Sequence, residues 1–109
     1  MTLDDFTRVA LRLPEAVEGA HMGRTGFRVG NRIFASLHPD KDAGMVLLKP
    51  EEQAMLVEAE PAIFAPVPGG WGKSGATLVF VAGVDEATLR DALTRAWRHR
   101  APPSAIAAL

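Results

Sequence analysis

Leu3, Phe6, Ala10 and Leu13 recur at helical spacing, with Val9 beside them, while Asp4, Asp5, Arg8 and Arg12 take the opposite face. The pattern predicts a helix over residues 2–13. Thr2 is placed to cap it, the two aspartates suit the positive end of the helix dipole, and Pro14 stops it. Residues 14–24 carry no period and read as a connection. Gly30-Asn31 then separates two β-rich runs, Phe27–Val29 and Arg32–Leu37, as a two-residue hairpin loop would. In that register Phe27 faces Phe34, and Arg24 and Arg28 share one face while Arg32 takes the other. His38–Gly44 reads as a second turn, and Met45–Leu48 as a third strand whose unbroken apolar run suits an inner position. Pro50, followed by Glu51 and Glu52, opens a short helix ending near Ala59. Pro61, Pro66 and Pro68 leave little regular structure before Gly70, and Thr77–Val81 predicts a fourth strand. Asp85 caps a final helix with the apolar stripe Leu89, Ala92, Leu93, Ala96 and Trp97, which Pro102-Pro103 ends.

The resulting order is α-β-β-β-α-β-α. Short links make the first three strands antiparallel, and the two terminal helices can cover one face of the sheet. The expectation is an α+β two-layer sandwich: an antiparallel sheet of about four strands, two terminal helices on one face, and the other face partly open. One domain over residues 1–109 is expected from a chain of this length.

Composition narrows the chemistry. With no cysteine, the 109 residues hold no disulfide scaffold, thiolate zinc site, iron–sulfur cluster or cysteine nucleophile. No apolar run approaches the ~18 residues of a membrane span, and Met-Thr-Leu-Asp-Asp is acidic where a signal peptide is basic. A soluble cytoplasmic protein is expected, without a membrane partner, as a monomer or weak dimer. The net charge of −1 argues against a surface that is basic all over.

Several catalytic signatures fail on inspection. Gly72-Lys73-Ser74 resembles the end of a phosphate-binding loop, but Val67 stands where that motif needs its first glycine, and the segment precedes a strand instead of following one. Ala76 breaks the nucleophile-elbow pattern. The histidines are His21, His38 and His99, with no paired metal-ligand spacing, so no metal and no cofactor are expected.

Three clusters survive. In His21-Met22-Gly23-Arg24, glycine can let a ligand approach the backbone while His21 and Arg24 offer polar contacts, or it can simply turn the chain into the next strand. In Pro66-Val67-Pro68-Gly69-Gly70-Trp71-Gly72-Lys73, freed backbone amides can line an anion-binding concavity with Lys73 as counter-charge and Trp71 as a flat stacking surface; alternatively, Trp71 plugs the rim of the core. The third is the basic set: Arg24, Arg28 and Arg32 around the hairpin, and Arg90, Arg95, Arg98, His99 and Arg100 on the last helix, where the dipole and Glu86–Arg90 and Asp91–Arg95 pairs already account for many of them.

The run His21-x-Gly23-Arg24-x-x-Phe27-Arg28-Val29, the hairpin segment Arg32–Ala35 and above all Pro68-Gly69-Gly70-Trp71-Gly72 resemble the MmcQ/YjbR family of small bacterial proteins. The likeness spans the chain from the first helix to the last; where the family often has a second tryptophan after the glycine-rich loop, this chain has Ala76. The resemblance implies a frataxin/CyaY-like double-wing fold and a DNA-binding role. It leads to a non-enzymatic binding module with DNA as partner and Arg24, Arg28, Arg32, Trp71 and Lys73 as contacts. The alternative is a small anionic-ligand site formed by the Trp71 loop and Lys73 against His21 and Arg24. An acidic, iron-binding ridge of the frataxin kind is not evident, because Asp4, Asp5, Glu51 and Glu52 sit at helix N-termini that explain them.

Overall fold

Thr2 opens the first helix with a reciprocal cap. Its hydroxyl accepts from the Asp5 backbone N–H at 3.1 Å, while the Asp5 carboxylate accepts from the Thr2 N–H at 2.8 Å. In the computed structural model, which describes residues 1–109, helix α1 runs over Leu3–Leu11 and buries Phe6, Val9 and Ala10. Six strands follow in one antiparallel sheet: β1 Val17–His21, β2 Arg24–Val29, β3 Arg32–His38, β4 Ala43–Leu47, β5 Phe64–Pro66 and β6 Ala76–Phe80. Their spatial order is β1-β2-β3-β4-β6-β5. Helix α2 (Pro50–Ala59) links β4 to β5, the short helix α3 (Gly70–Lys73) lies between β5 and β6, and α4 (Glu86–Arg98) and α5 (Pro103–Ala107) complete the chain.

The α+β class and the terminal helices on one face agree with the hydrophobic pattern, but the sheet has six strands, not four. The two extra strands are its edges. β1 lies within the segment expected to be a connection. Its side chains Val17, Glu18, Gly19, Ala20 and His21 are exposed or half-exposed, so nothing in the sequence marks an inward face. Five residue pairings with β2 hold it instead. β5 is three residues long and ends on Pro66. Proline is tolerated there because an edge strand has one side without a ladder partner.

The Gly30-Asn31 turn forms as expected, with φ of 56° and 64°, and Val29 pairs with Arg32 and Arg28 with Ile33. The expected Phe27–Phe34 pairing does not form. A β-bulge shifts the register, so Phe27 pairs with Ala35 and Gly26 with Ser36. The extra residue lets Phe34 and Ala35, neighbours in sequence, both reach the main core beside Phe27. None of the three is exposed, so neither phenylalanine is available to stack on a ligand.

The main core lies between the sheet and the helices, and joins Phe6 and Val9 of α1, Leu89, Leu93 and Trp97 of α4, and Phe27, Phe34, Val46 and Val79 of the strands. Leu56 and Val57 of α2 pack against the same core. Gly44 is required at the centre: a Cβ there would stand 2.1 Å from the Phe6 ring. Trp97 is fully buried, and its indole N–H donates to the Pro14 carbonyl at 3.0 Å. On the opposite sheet face, Ala43, Met45, Ala76 and Leu78 form a second, smaller cluster, flanked by Leu47, Val67 and Phe80. No helix is long and apolar enough to cross a membrane.

Candidate functional site

Strand direction divides the candidate residues into two groups. β1 ends at His21, β2 starts at Arg24 and β3 ends at His38, so these three lie at one end of the sheet. Arg32 begins β3 and the loop bearing Trp71 and Lys73 leads into β6, so these lie at the other end. The single pocket expected from the Trp71 loop against His21 and Arg24 therefore does not form. Three strand spacings, about 14 Å, separate β2 from β6 laterally, and the length of a strand is added to that. The surface encloses no pocket, and no three His, Cys, Asp or Glu side chains are grouped to hold a metal ion.

At the first end Arg24 and Arg28 are already engaged, while Lys41, just beyond His38, is exposed and makes no ion pair. His21 pairs with Arg24 across the Met22-Gly23 turn, where φ is 51° and 78°. Arg24 donates to the Asp40 carboxylate at 3.3 Å. Local desolvation pushes the exposed Asp40 carboxyl upward, but the Arg24 hydrogen bond and charge win, and it lies below its ordinary range. Arg28 lies across β1, donating to the Ala20 carbonyl at 3.2 Å, and a Cβ on Gly19 would come within 3.3 Å of its guanidinium. His38 is buried, with its Nε2 3.1 Å from the Ser36 hydroxyl. Burial, then the charge of Arg24, holds its imidazole below the ordinary value. The Nε2 of His21 is buried with no protein partner.

The second end is built differently. Ala35 pairs with Val46, and Val46 with Thr77. Arg32 starts β3, Lys49 lies two residues beyond β4, and Lys73 closes α3, which leads through Ser74 and Gly75 into β6, so all three stand at this end of the sheet. The Leu48 N–H donating to the Gly75 carbonyl at 3.1 Å extends the β4–β6 ladder one pair beyond Leu47 and Ala76. Arg32, Lys49 and Lys73 are all exposed, and none makes an ion pair. The Arg100 backbone also abuts this end, its carbonyl 4.0 Å from where a Gly30 Cβ would sit. The neighbouring acids are Glu51, which is exposed, and Glu52, which is engaged. Glu52 accepts from the Lys49 backbone N–H at 3.0 Å and Arg95 at 3.3 Å, and lies 2.5 Å from His99 Nε2. Burial would raise its carboxyl; the Lys49 N–H and His99 outweigh this and keep it ionised below its ordinary range.

The glycine-rich loop is not an open cradle but a fixed helical turn. Gly72 faces inward, and a Cβ there would stand 1.7 Å from the Val67 carbonyl oxygen, so only glycine fits. Gln53, the one buried residue of α2, places its amide nitrogen 2.9 Å from the Gly72 carbonyl, 3.0 Å from the Ala76 carbonyl and 3.1 Å from the Thr77 hydroxyl. Its two protons are shared among three acceptors. The Thr77 hydroxyl in turn donates to the Gly75 carbonyl at 2.9 Å. With Gly72 pinned inward, Trp71 and Lys73 project from the two flanks of the turn, and Trp71 is 47% exposed. It does not plug the core.

The YjbR family model matches residues 11–99, four-fifths of the chain. The chain belongs to the YjbR family. The matched range contains all six strands, α2, α3 and α4, and both ends of the sheet. The crystal structure of Deinococcus radiodurans protein DR2400, with the family-model domain DUF419, has the same fold. The two superpose with a TM-score of 0.71 at 24% identity, over 88% of this YjbR chain and 75% of that one. No curated protein matches the sequence.

Sequence reasoning named Arg32, Trp71 and Lys73 but missed Lys49 and Gln53. Lys49 looks like an ordinary residue before a helix-opening proline, and only the pairing of β3, β4 and β6 brings it to the same end of the sheet as the others. Gln53 carries a fainter signal: a neutral amide in the middle of Glu51-Glu52-Gln53-Ala54, on a helix with little apolar stripe to bury.

Proposed function

We propose that this YjbR-family chain is a binding module for DNA, receiving backbone phosphates on Arg32, Lys49 and Lys73. The observation that carries this reading is the presence of three exposed, unpaired cations at one end of the sheet, while at the opposite end Arg24 is paired with Asp40 and Arg28 is tied to the backbone, leaving Lys41 as the exposed, unpaired cation there. A chain with net charge −1 offers phosphates little general attraction, so binding has to be local to such a cluster. Exposed cations spread over one end of the sheet suit an extended polyanion, which can meet several of them at once. Arg24 and Arg28, expected as contacts from the sequence, contribute less in this reading because their donors are already used.

Fluorescence anisotropy with a labelled oligonucleotide tests this. If three phosphates are neutralised, affinity falls about 40-fold between roughly 50 and 200 mM salt, and each of Arg32→Ala, Lys49→Ala and Lys73→Ala reduces the logarithmic salt slope by about 0.9. Absence of binding at the lower salt, or a salt slope unchanged in all three variants, overturns the reading.

A further inference from the structure

The end of the sheet that carries the cations also carries an aromatic surface unlike any other on the molecule. The five phenylalanines are buried or half-buried and Trp97 is wholly inside, whereas Trp71 is 47% exposed. The turn that bears it is held firmly. Lys73 and Ser74 N–H groups close the turn on Gly69 and Gly70, the Ser74 hydroxyl donates to the Gly70 carbonyl at 3.2 Å, and Gln53 holds the Gly72 carbonyl from the other side. A turn so fixed does not have to be ordered when a ligand arrives, which lowers the cost of association.

From this we infer that the basic end selects single-stranded over duplex DNA, with Trp71 stacking on an exposed base while Lys73, Lys49 and Arg32 follow the backbone. The inference rests on the phosphate-binding reading above and adds the strand preference to it. In a duplex each base is stacked on its neighbours, and an aromatic ring beside the backbone finds no free π-face. In a single strand every base can offer one, whatever its identity. Lys73 stands two residues from Trp71 on the same turn, and Lys49 and Arg32 lie at the same end of the sheet, so a strand with one base on Trp71 has its phosphates within the reach of these cations.

The two tryptophans make the test direct. Trp97 is fully buried, so emission quenched by a ligand at the surface comes from Trp71. Titration with an oligothymidylate of about 15 nucleotides should quench that emission, and its affinity should exceed that of a duplex of equal length by roughly ten-fold. Trp71→Ala should remove the quenching and bring the two affinities together; Trp71→Phe should keep most of the preference. Met55→Ala, an equally exposed residue on α2, serves as the control that leaves both affinities as they are. Near-ultraviolet dichroism from Trp97 verifies that each variant is folded. Equal affinity for both forms, with Trp71→Ala silent and Lys73→Glu weakening both, would overturn the strand preference and leave the phosphate reading standing. Failure of either form to bind at low salt would remove both.

Discussion

Gln53 shows how one amide can position a distant surface. Its nitrogen reaches acceptors 19, 23 and 24 residues away, tying α2 to the turn that presents Trp71 and Lys73. Gln53→Ala leaves the Gly72 and Ala76 carbonyls without this donor, and the expected loss is about 1–3 kcal/mol of stability by urea denaturation. Gln53→Glu is expected to be worse than a simple isostere, because it directs acceptors at acceptors. Gly72→Ala should be more damaging than most glycine substitutions, since its new methyl would overlap the Val67 carbonyl; a loss above about 3 kcal/mol, or failure to fold, is expected. His38 makes a residue-scale prediction about pH. Its imidazole is held below the usual 6.5 by burial and by Arg24, so the unfolded chain binds a proton that the folded chain resists. That contribution is fully present above pH 6.5 and is lost as pH falls through the lower folded-state value. Urea midpoints measured from about pH 7.5 to 5 should fall, and His38→Gln should flatten that part of the profile.

At the scale of elements, α1 and α4 were legible because their buried faces repeat at helical spacing. Leu89, Ala92, Leu93, Ala96 and Trp97 are all buried, as that spacing requires. Leu93→Ala should therefore cost about 2–5 kcal/mol, read as a shift in the urea midpoint. The Gly30-Asn31 turn was legible for a different reason: its two residues tolerate positive φ, which the turn demands. β1 was not legible, because an edge strand with little buried surface has no hydrophobic alternation to display. The bulge was hidden as well. Phe34 and Ala35 are both apolar, and either could have faced Phe27; packing of the whole core, not the local pattern, decides between them. The Trp71 loop was visible as a site but not as a helix, since three glycines within four residues of Gly69 argue against one. Its turn persists through tertiary hydrogen bonds from α2.

For the molecule as a whole, net charge conceals arrangement. Charges on α1 close on themselves, with Arg8 donating to Asp5 and to Glu86 of α4, and Arg24 closes on Asp40. What remains unpaired at one end of the sheet is Arg32, Lys49 and Lys73, and that these three share an end could be read only after the strand order and direction were known. The two sheet borders differ in a way that bears on assembly. β5 ends in Pro66, which has no N–H to donate, and is only three residues long, whereas β1 presents five residues with Val17 58% exposed. A sheet with one receptive border can add one strand from a second chain and then has no receptive border left. Two copies joined at β1 would leave only their β5 borders, where Pro66 has no N–H to offer a further strand.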